Sequence, residues 1–173
     1  MPRSKYLRCL LLAGFTCWSV PSMADPTVVG WIEPVKLGSE GLVVPAKLDT
    51  GADTSSLNVS DIAWSRRQDG DWVAFDVMGK DNRTIRLERK VERMARVKKA
   101  SGGTQDRPTV LMGVCLGNTY RVTEVNLTDR SGFKLPFLVG RNFLAGRFAV
   151  DSSRMESLEP NCSAAVVASA TAG

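Results

Sequence analysis

The stretch 47-KLDTGADTSSL-57 decides how this chain folds. An apolar run ending at Leu48 enters the triplet Asp49-Thr50-Gly51 and leaves through Ala52-Asp53-Thr54-Ser55. Asp, Thr and Gly are ordinary turn residues, so the triplet alone fits a polar loop between two strands as well as an aspartate held on a tight turn. What surrounds it, and what the rest of the chain lacks, separates the two readings.

The chain has no histidine. That removes Ser-His-Asp and Cys-His nucleophiles and the HExxH zinc pattern. A zinc site would need carboxylates and cysteines far apart in the chain, an unusual ligand set. If the protein is a hydrolase, carboxylates must carry the proton transfers.

Residues 1–24 read as a signal peptide. Arg3, Lys5 and Arg8 precede the apolar run CLLLAGFTCWSV, and PSMA ends with small residues at Ser22 and Ala24. The run is short for a bilayer span, so the expectation is an exported, periplasmic protein with no stable membrane insertion. The formal charge of +5 falls to +2 over residues 25–173, because the leader holds three basic and no acidic residues. A near-neutral chain gives no reason to expect a nucleic-acid partner. About 149 residues suffice for one core. Cys115 and Cys162 are the cysteines left after cleavage, and they could pair in an oxidising compartment or remain thiols.

The texture from Asp25 onward is β. TVVGWIEPVKL and GLVVPAKLDT are rich in β-branched residues around turn signals at 38–41. WVAFDVMG alternates, with Val73, Phe75 and Val77 on one side, and a GKDN turn leads into RTIRLERKV. RPTVLMGVCLGN and TYRVTEVNLTD read as two strands joined by a short turn at 116–119. LERKVERMARVKK is ambiguous: Leu87, Val91, Met94 and Val97 make a helical stripe, whereas Ile85, Leu87, Val91, Ala95 and Val97 fit period two. The neighbouring strands favour two strands here. Nine basic against three acidic residues between Arg83 and Arg107 make this segment cationic, either as a solvated face or as a groove for an acidic substrate. In the following KASGGTQDRP, Gly102 and Gly103 suit a surface loop or the tip of a flap lying close over a bound peptide. Residues 156–173 are expected to be a flexible tail after a domain spanning 25–155.

A second stretch, 135-LPFLVGRNFLAG-146, sends an apolar strand into Gly140-Arg141-Asn142. Together with AKLDTGADTS it resembles the retroviral-type aspartic proteases, the retropepsins. VGWIEPVKL, VPAKLDTGADTSSL, RPTVLMGVCLG, EVNLTDR and PFLVGRNFL together are similar to a bacterial retropepsin-like aspartic endopeptidase family that carries an older label of ATP-dependent zinc protease. The likeness runs from about Val28 to Asp151. Neither metal nor nucleotide finds support in the residues: histidine is absent and no GxxxxGK[ST] pattern occurs.

The resemblance implies an all-β acid-protease barrel with one short C-terminal helix. It implies Asp49 as catalytic carboxylate, Thr50 fixing the turn through its hydroxyl, and Gly51 letting backbone approach the carboxylate. Ala52 and Asp53 match positions that contact substrate backbone. Gly140, Arg141 and Asn142 match the bracing segment, with Arg141 and Asp53 expected as a buried ion pair. No cofactor or metal is implied. Two carboxylates must share one proton, so that one activates water while the other protonates the scissile carbonyl. The chain has a single Asp-Thr-Gly, since neither Asp129 nor Asp151 lies in that order, and the resemblance implies a homodimer acting on a peptide or protein substrate. Some relatives resemble enzymes that trim glutamate-rich peptides. The alternative is a non-catalytic exported β-barrel that binds peptides in the same groove.

Overall fold

A computed structural model describes residues 25–98 and 102–163. Ten strands and one short helix follow in the order β1 (Thr27–Leu37), β2 (Leu42–Leu48), β3 (Ser55–Asn58), β4 (Ser60–Arg67), β5 (Gly70–Met78), β6 (Thr84–Lys98), β7 (Thr104–Leu116), β8 (Thr119–Thr128), β9 (Phe137–Val139), α1 (Arg141–Leu144) and β10 (Phe148–Met155). The expected all-β barrel with one short helix is what forms, with a last strand after the helix.

The strands make one sheet in the order β10-β1-β2-β9-β3-β8-β7-β6-β5-β4, and β1 also pairs with β7. That extra pairing, Lys36 with Cys115 and Leu37 with Val114, closes β1, β2, β9, β3, β8 and β7 into a ring. Strand β7 has thirteen residues and serves two partners along one edge. Its C-terminal part closes the ring, while Thr104 to Val110 pair with β6 and carry an arm of β6, β5 and β4 away from it. Closure removes edges that would otherwise be open to other chains.

Alternation dictates which side chains fill the ring. Leu42, Val44, Ala46 and Leu48 of β2 point inward and are buried, with Lys47 exposed between them. They meet Leu57, Val125, Leu127 and Phe137 in a continuous core. On the arm, Val73, Phe75 and Val77 are buried as the period-two pattern requires. Phe143 of α1 is fully buried and stacks on Phe148 of β10, 5.8 Å between ring centres.

The ambiguous segment is strand, as one unbroken β6 and not two. Its first half pairs with β5 and its second half with β7, with a bulge between Val91 and Arg93 marking the exchange. Met94, which a helical stripe would bury, is 50% exposed. The bulge absorbs the mismatch that the intruding Arg89 and Arg93 introduce into the alternation.

The expected flexible tail from residue 156 is corrected over 156–163. Glu33, fully buried on β1, accepts from the Gly30 and Leu158 amides at 2.6 and 3.1 Å and from the Ser157 hydroxyl. Asn161 N donates to Gly117 O at 2.7 Å, and Cys162 forms a disulfide with Cys115, Cα atoms 6.1 Å apart. A buried carboxylate without hydrogen bonds would be prohibitive, so these donors pin the segment to the barrel. Residues 164–173 and the expected leader, 1–24, lie outside the described residues.

Candidate active site

Strands β2 and β3 flank the Asp49 turn but do not pair with each other. Strand β9 lies between them, parallel to β2 (Leu48 beside Val139) and antiparallel to β3 (Ser56 beside Leu138). The turn is therefore threaded by the second sequence stretch. Asp49 N donates to Val139 O at 2.9 Å, Arg141 N to Ala52 O at 2.8 Å, and Asn142 N to Asp53 O at 3.1 Å. Gly140 is needed because a Cβ there would stand 2.8 Å from the Thr54 carbonyl carbon and 3.0 Å from the Ala52 and Thr54 oxygens.

Asn142 ties the turn to the rest of the ring. Its Oδ1 accepts from Ser55 N and Oγ at 3.1 and 3.0 Å, and its Nδ2 donates to Thr123 Oγ1 and Glu124 O at 2.9 and 2.8 Å. Arg141 Nη1 donates to Thr50 O at 2.9 Å, and its other terminal nitrogen pairs with Asp53. That pair is present, but its expected burial is not found: the Asp53 side chain is 85% exposed in the single chain. Both groups sit on the rim of the turn, and among the described residues no neighbouring element covers them. Thr50 bonds through its carbonyl. Its hydroxyl, expected to fix the turn, makes no hydrogen bond among the described residues.

The Asp49 carboxylate is fixed by two donors. Gly51 N reaches Oδ1 at 3.0 Å and Lys47 Nζ reaches Oδ2 at 3.1 Å. A Cβ on Gly51 would come within 3.2 Å of Oδ1, so the small residue permits this approach. Partial burial pushes the carboxyl pKa up, but the Lys47 ammonium and the Gly51 and Ala52 amides outweigh it and leave it below the usual aspartate value.

Beside the turn lies a cleft of about 450 Å³ between Ala52–Thr54 and the β6–β7 hairpin. Arg93, Ala95, Arg96, Val97 and Lys98 form one wall, and Ser56, Arg107, Asn126, Arg130 and Leu138 complete it. Gly102 and Gly103 lie just before β7 at the end of this hairpin with positive φ (90° and 79°), exposed and with open space where a Cβ would stand. Lys99, Ala100 and Ser101 lie outside the described residues.

The cationic segment itself proves mostly paired. Arg83, Arg86, Arg89, Lys90, Arg93 and Arg96 meet Asp81, Asp76, Glu40, Asp69, Glu124 and Asp106 respectively. Arg93 grips Glu124 at 2.5 Å, which lowers the Glu124 pKa. Arg107 makes no ion pair among the described residues, and its guanidinium donates to Gln105 at 3.0 Å. Arg130, on the turn after β8, was not singled out in the sequence. It is 8% exposed, lies 4.4 Å over the Phe133 ring, and its Nε has no acceptor. Lys47 and Ser56 were likewise missed. Period two along β2 could have placed Lys47 beside Asp49, but nothing in TDRSG foretells that Arg130 turns inward. Among the described residues no cluster of three His, Cys, Asp or Glu side chains could hold a metal ion, and no helix is long and apolar enough to cross a membrane.

Comparison with known proteins bears on this geometry. The model of the RimB-like family, described as "Retropepsin-like aspartic endopeptidase RimB", matches residues 28–160. A Legionella pneumophila protein of unknown function, Lpg0085, has a similar structure, with a TM-score of 0.66, 29% identity, and coverage of 78% of this chain and 100% of that one. A protein of Parasynechococcus marenigrum named "Probable alpha-L-glutamate ligase" is 32% identical over 133 residues, 75% of this chain and 28% of that protein. One of the same name from Shewanella pealeana is 28% identical over 113 residues, 64% of this chain and 25% of that protein. The chain thus spans about a quarter of the length of these curated relatives.

Proposed function

The chain belongs to the RimB-like family of retropepsin-like aspartic endopeptidases, and from that premise we propose that it hydrolyses peptide bonds as a homodimer in which each copy contributes Asp49. The observation that carries this reading is the threaded turn. A single carboxylate is held in one orientation by the Gly51 amide, on a loop that borders a cleft through Ala52–Thr54 and is fixed by a strand from ninety residues away. Such preorganisation is what proton transfer at a fixed distance demands and what a solvated turn does not need. One Asp49 takes the proton of the attacking water and the other protonates the carbonyl oxygen, which requires the pair to hold one proton between them. The exposed Thr50 hydroxyl and the exposed Arg141–Asp53 pair lie on the rim a second copy would cover.

The ligase name belongs to longer proteins, and this chain matches only about a quarter of their length. Their named substrate, glutamate, supports an acidic peptide as the target of the segment they share. Export to an oxidising compartment accords with the signal-like start and with the Cys115–Cys162 disulfide. The second reading, a peptide-binding module without catalysis, draws on the Lys47 ammonium that occupies Asp49 in the single chain.

Asp49→Asn tests the proposal, since Asn nearly matches Asp in shape but cannot share the proton. Wild type should cleave a diverse peptide set, chelators should not change the rate, and the variant should lose at least about a thousandfold while keeping its melting temperature. Excess variant mixed with wild type should poison activity through mixed dimers. Substantial cleavage by the variant, or full activity per chain in a strict monomer, overturns the mechanism.

A further inference from the structure

We infer that the free edge of β4 is a self-association surface, on which a second copy of this chain lays its own β4 antiparallel and continues the sheet. No residue of β4 lines the cleft, and the inference does not depend on peptide cleavage.

Strand β4 ends the sheet, paired with β5 on one side and with no strand on the other among the described residues. All eight of its residues are exposed. Such an edge offers a row of unpaired backbone donors and acceptors, and proteins guard it with lysine, proline, bulges or charges. Here the guards are weak. The strand has no lysine and no proline, and its bulge is confined to the stretch between Ser60 and Ala63. From Ala63 to Arg67 the pairing with β5 is regular. Both cations turn back onto their own arm: Arg66 pairs with Asp71 at 3.2 Å, while Arg67 pairs with Glu88 and lies 4.2 Å over the Trp72 ring. What remains at the edge is apolar. Trp64 stands beside Val73, on the face where Val73, Phe75 and Val77 are buried, yet it is 52% exposed, and Ile62 is exposed with it. The apolar layer of the arm stops one strand short of cover.

The order of residues in β4 selects the occupant. Asp61-Ile62-Ala63-Trp64-Ser65-Arg66 carries an acid at one end, a base at the other and two large apolar side chains about Ala63. Reversed, it is its own complement. A two-fold axis perpendicular to the sheet keeps every residue on its own face, as an isologous contact requires. Centred on Ala63, that axis sets Ile62 beside Trp64 of the second copy, and does so twice. Pairs of a β-branched and an aromatic side chain are among the favourable cross-strand contacts. The same reversal brings Asp61 next to Ser65 and Arg66 of the second copy. The Asp61 carboxylate makes no ion pair among the described residues, its contact with Arg86 running through the backbone oxygen, and the Arg66 side chain is 85% exposed. Opposite charges at opposite ends favour an antiparallel copy and oppose a parallel one.

The two-fold register gives the test its geometry. At the axis residue 63 faces itself, with Cβ atoms about 5 Å apart. In the full chain with the Cys115–Cys162 disulfide formed, Ala63→Cys should crosslink two copies under mild oxidation. It should do so at least about tenfold faster than Ser65→Cys, whose two copies stand four residues out of step and beyond disulfide reach. Light scattering of the wild type, read from micromolar to about millimolar concentration, should show assembly. Ile62→Lys with Trp64→Lys, which places on the edge the charge it lacks, should lower the mass of the assembled species about twofold or more, since each copy loses one neighbour. Both lysines replace exposed side chains, so the melting temperature should hold. Leu111→Lys, at a comparably exposed apolar site on a strand flanked by β6 and β8, should leave the mass unchanged. Equal crosslinking by the two cysteine variants, a wild type that does not assemble, or a mass unaffected by the two lysines overturns the proposal. In the second case the edge is open or serves a different partner. Crosslinking at residue 63 together with the fall in mass establishes the contact whether or not the chain cleaves peptides.

Discussion

The two walls of the cleft are built on opposite principles. The Asp49 turn is bonded to two distant segments: to Val139, Arg141 and Asn142 through backbone and through Ser55, and by way of Asn142 to Thr123 and Glu124 of β8. Among the described residues the β6–β7 hairpin is held by its own ladder, by cross-strand ion pairs, and by the strands at its base. On the proposed function the difference separates two tasks. Proton transfer would tolerate little displacement, which suits a turn fixed by many small bonds. Admitting a peptide would require movement, which suits a two-stranded hairpin with paired glycines beside its tip.

Breaking the rigid wall should give the largest effect. Asn142→Leu keeps the volume of the side chain but strips the acceptor from Ser55 N and Oγ and the donor from Thr123 and Glu124. Leaving such groups unsatisfied costs about 2–4 kcal/mol. Because the turn loses its tie to β8, activity should fall about a hundredfold or more in the variant that still folds. Calorimetric melting and peptide cleavage on the same sample check both. A variant that is destabilised yet fully active would mean that the threading by β9 alone positions Asp49.

The flexible wall should respond in the other currency, substrate binding. Gly102 and Gly103 lie at φ values of 90° and 79° with open space around them, so Ala at either site clashes with nothing and costs only backbone strain, about 1 kcal/mol each. The tip is exposed, and strain there is released by local rearrangement without unfolding the barrel. Replacing both should leave the melting temperature within a few degrees of wild type and raise KM several-fold, with kcat little changed. A fall in kcat alone would place the tip in the chemical step and erase the distinction between the walls.

These two regions also differ in how far the sequence betrayed them. The turn was legible because its parts are local: 47-KLDTGADTSSL-57 and 135-LPFLVGRNFLAG-146 each carry their function in consecutive residues, and a strand ending in Gly-Arg-Asn demands close packing at Gly140. The arm was legible only as strand. Its charge, nine basic to three acidic, suggested an anion-binding face, yet six of those cations meet carboxylates from β5, β7, β8 and nearby turns once registers are fixed. Composition cannot report pairing that the strand registers decide, between residues up to 49 positions apart. Arg130 escaped because it belongs to no run and to no pattern. Only the turn after β8 directs it into the cleft. The end of the chain misled for a related reason: small residues past 163 suggested looseness, while Glu33, buried among β-branched neighbours, was drawing 157 and 158 onto β1.

The smallest predicted effect joins the two walls, since Lys47 lies on the rigid side but acts through charge. In the single chain its ammonium stands 3.1 Å from Asp49 Oδ2 and helps hold the carboxyl pKa below the usual value. A carboxylate whose pKa is depressed on folding contributes stability above its unfolded pKa and loses it as pH falls through the folded value. Lys47→Met should therefore cost stability at neutral pH and none in strong acid. Both partners are partly exposed, so the cost is that of a screened pair, about 0–1 kcal/mol. Activity gives the sharper measurement. On the proposed mechanism the Asp49 pair would be competent while it holds one proton, and a bell-shaped profile would report the two apparent pKa values of the pair. Removing a cation from each carboxylate raises both, so the profile should move to higher pH with its maximum rate within about tenfold of wild type. Lys47→Arg keeps the charge and should restore the original position. High salt should shift the wild-type profile toward that of Lys47→Met, because an exposed pair is screened. An unchanged profile in Lys47→Met would show that Lys47 swings away when two copies meet. The rigid wall would then hold Asp49 by the Gly51 amide alone, and the single-chain contact would be a resting arrangement that dimer formation displaces.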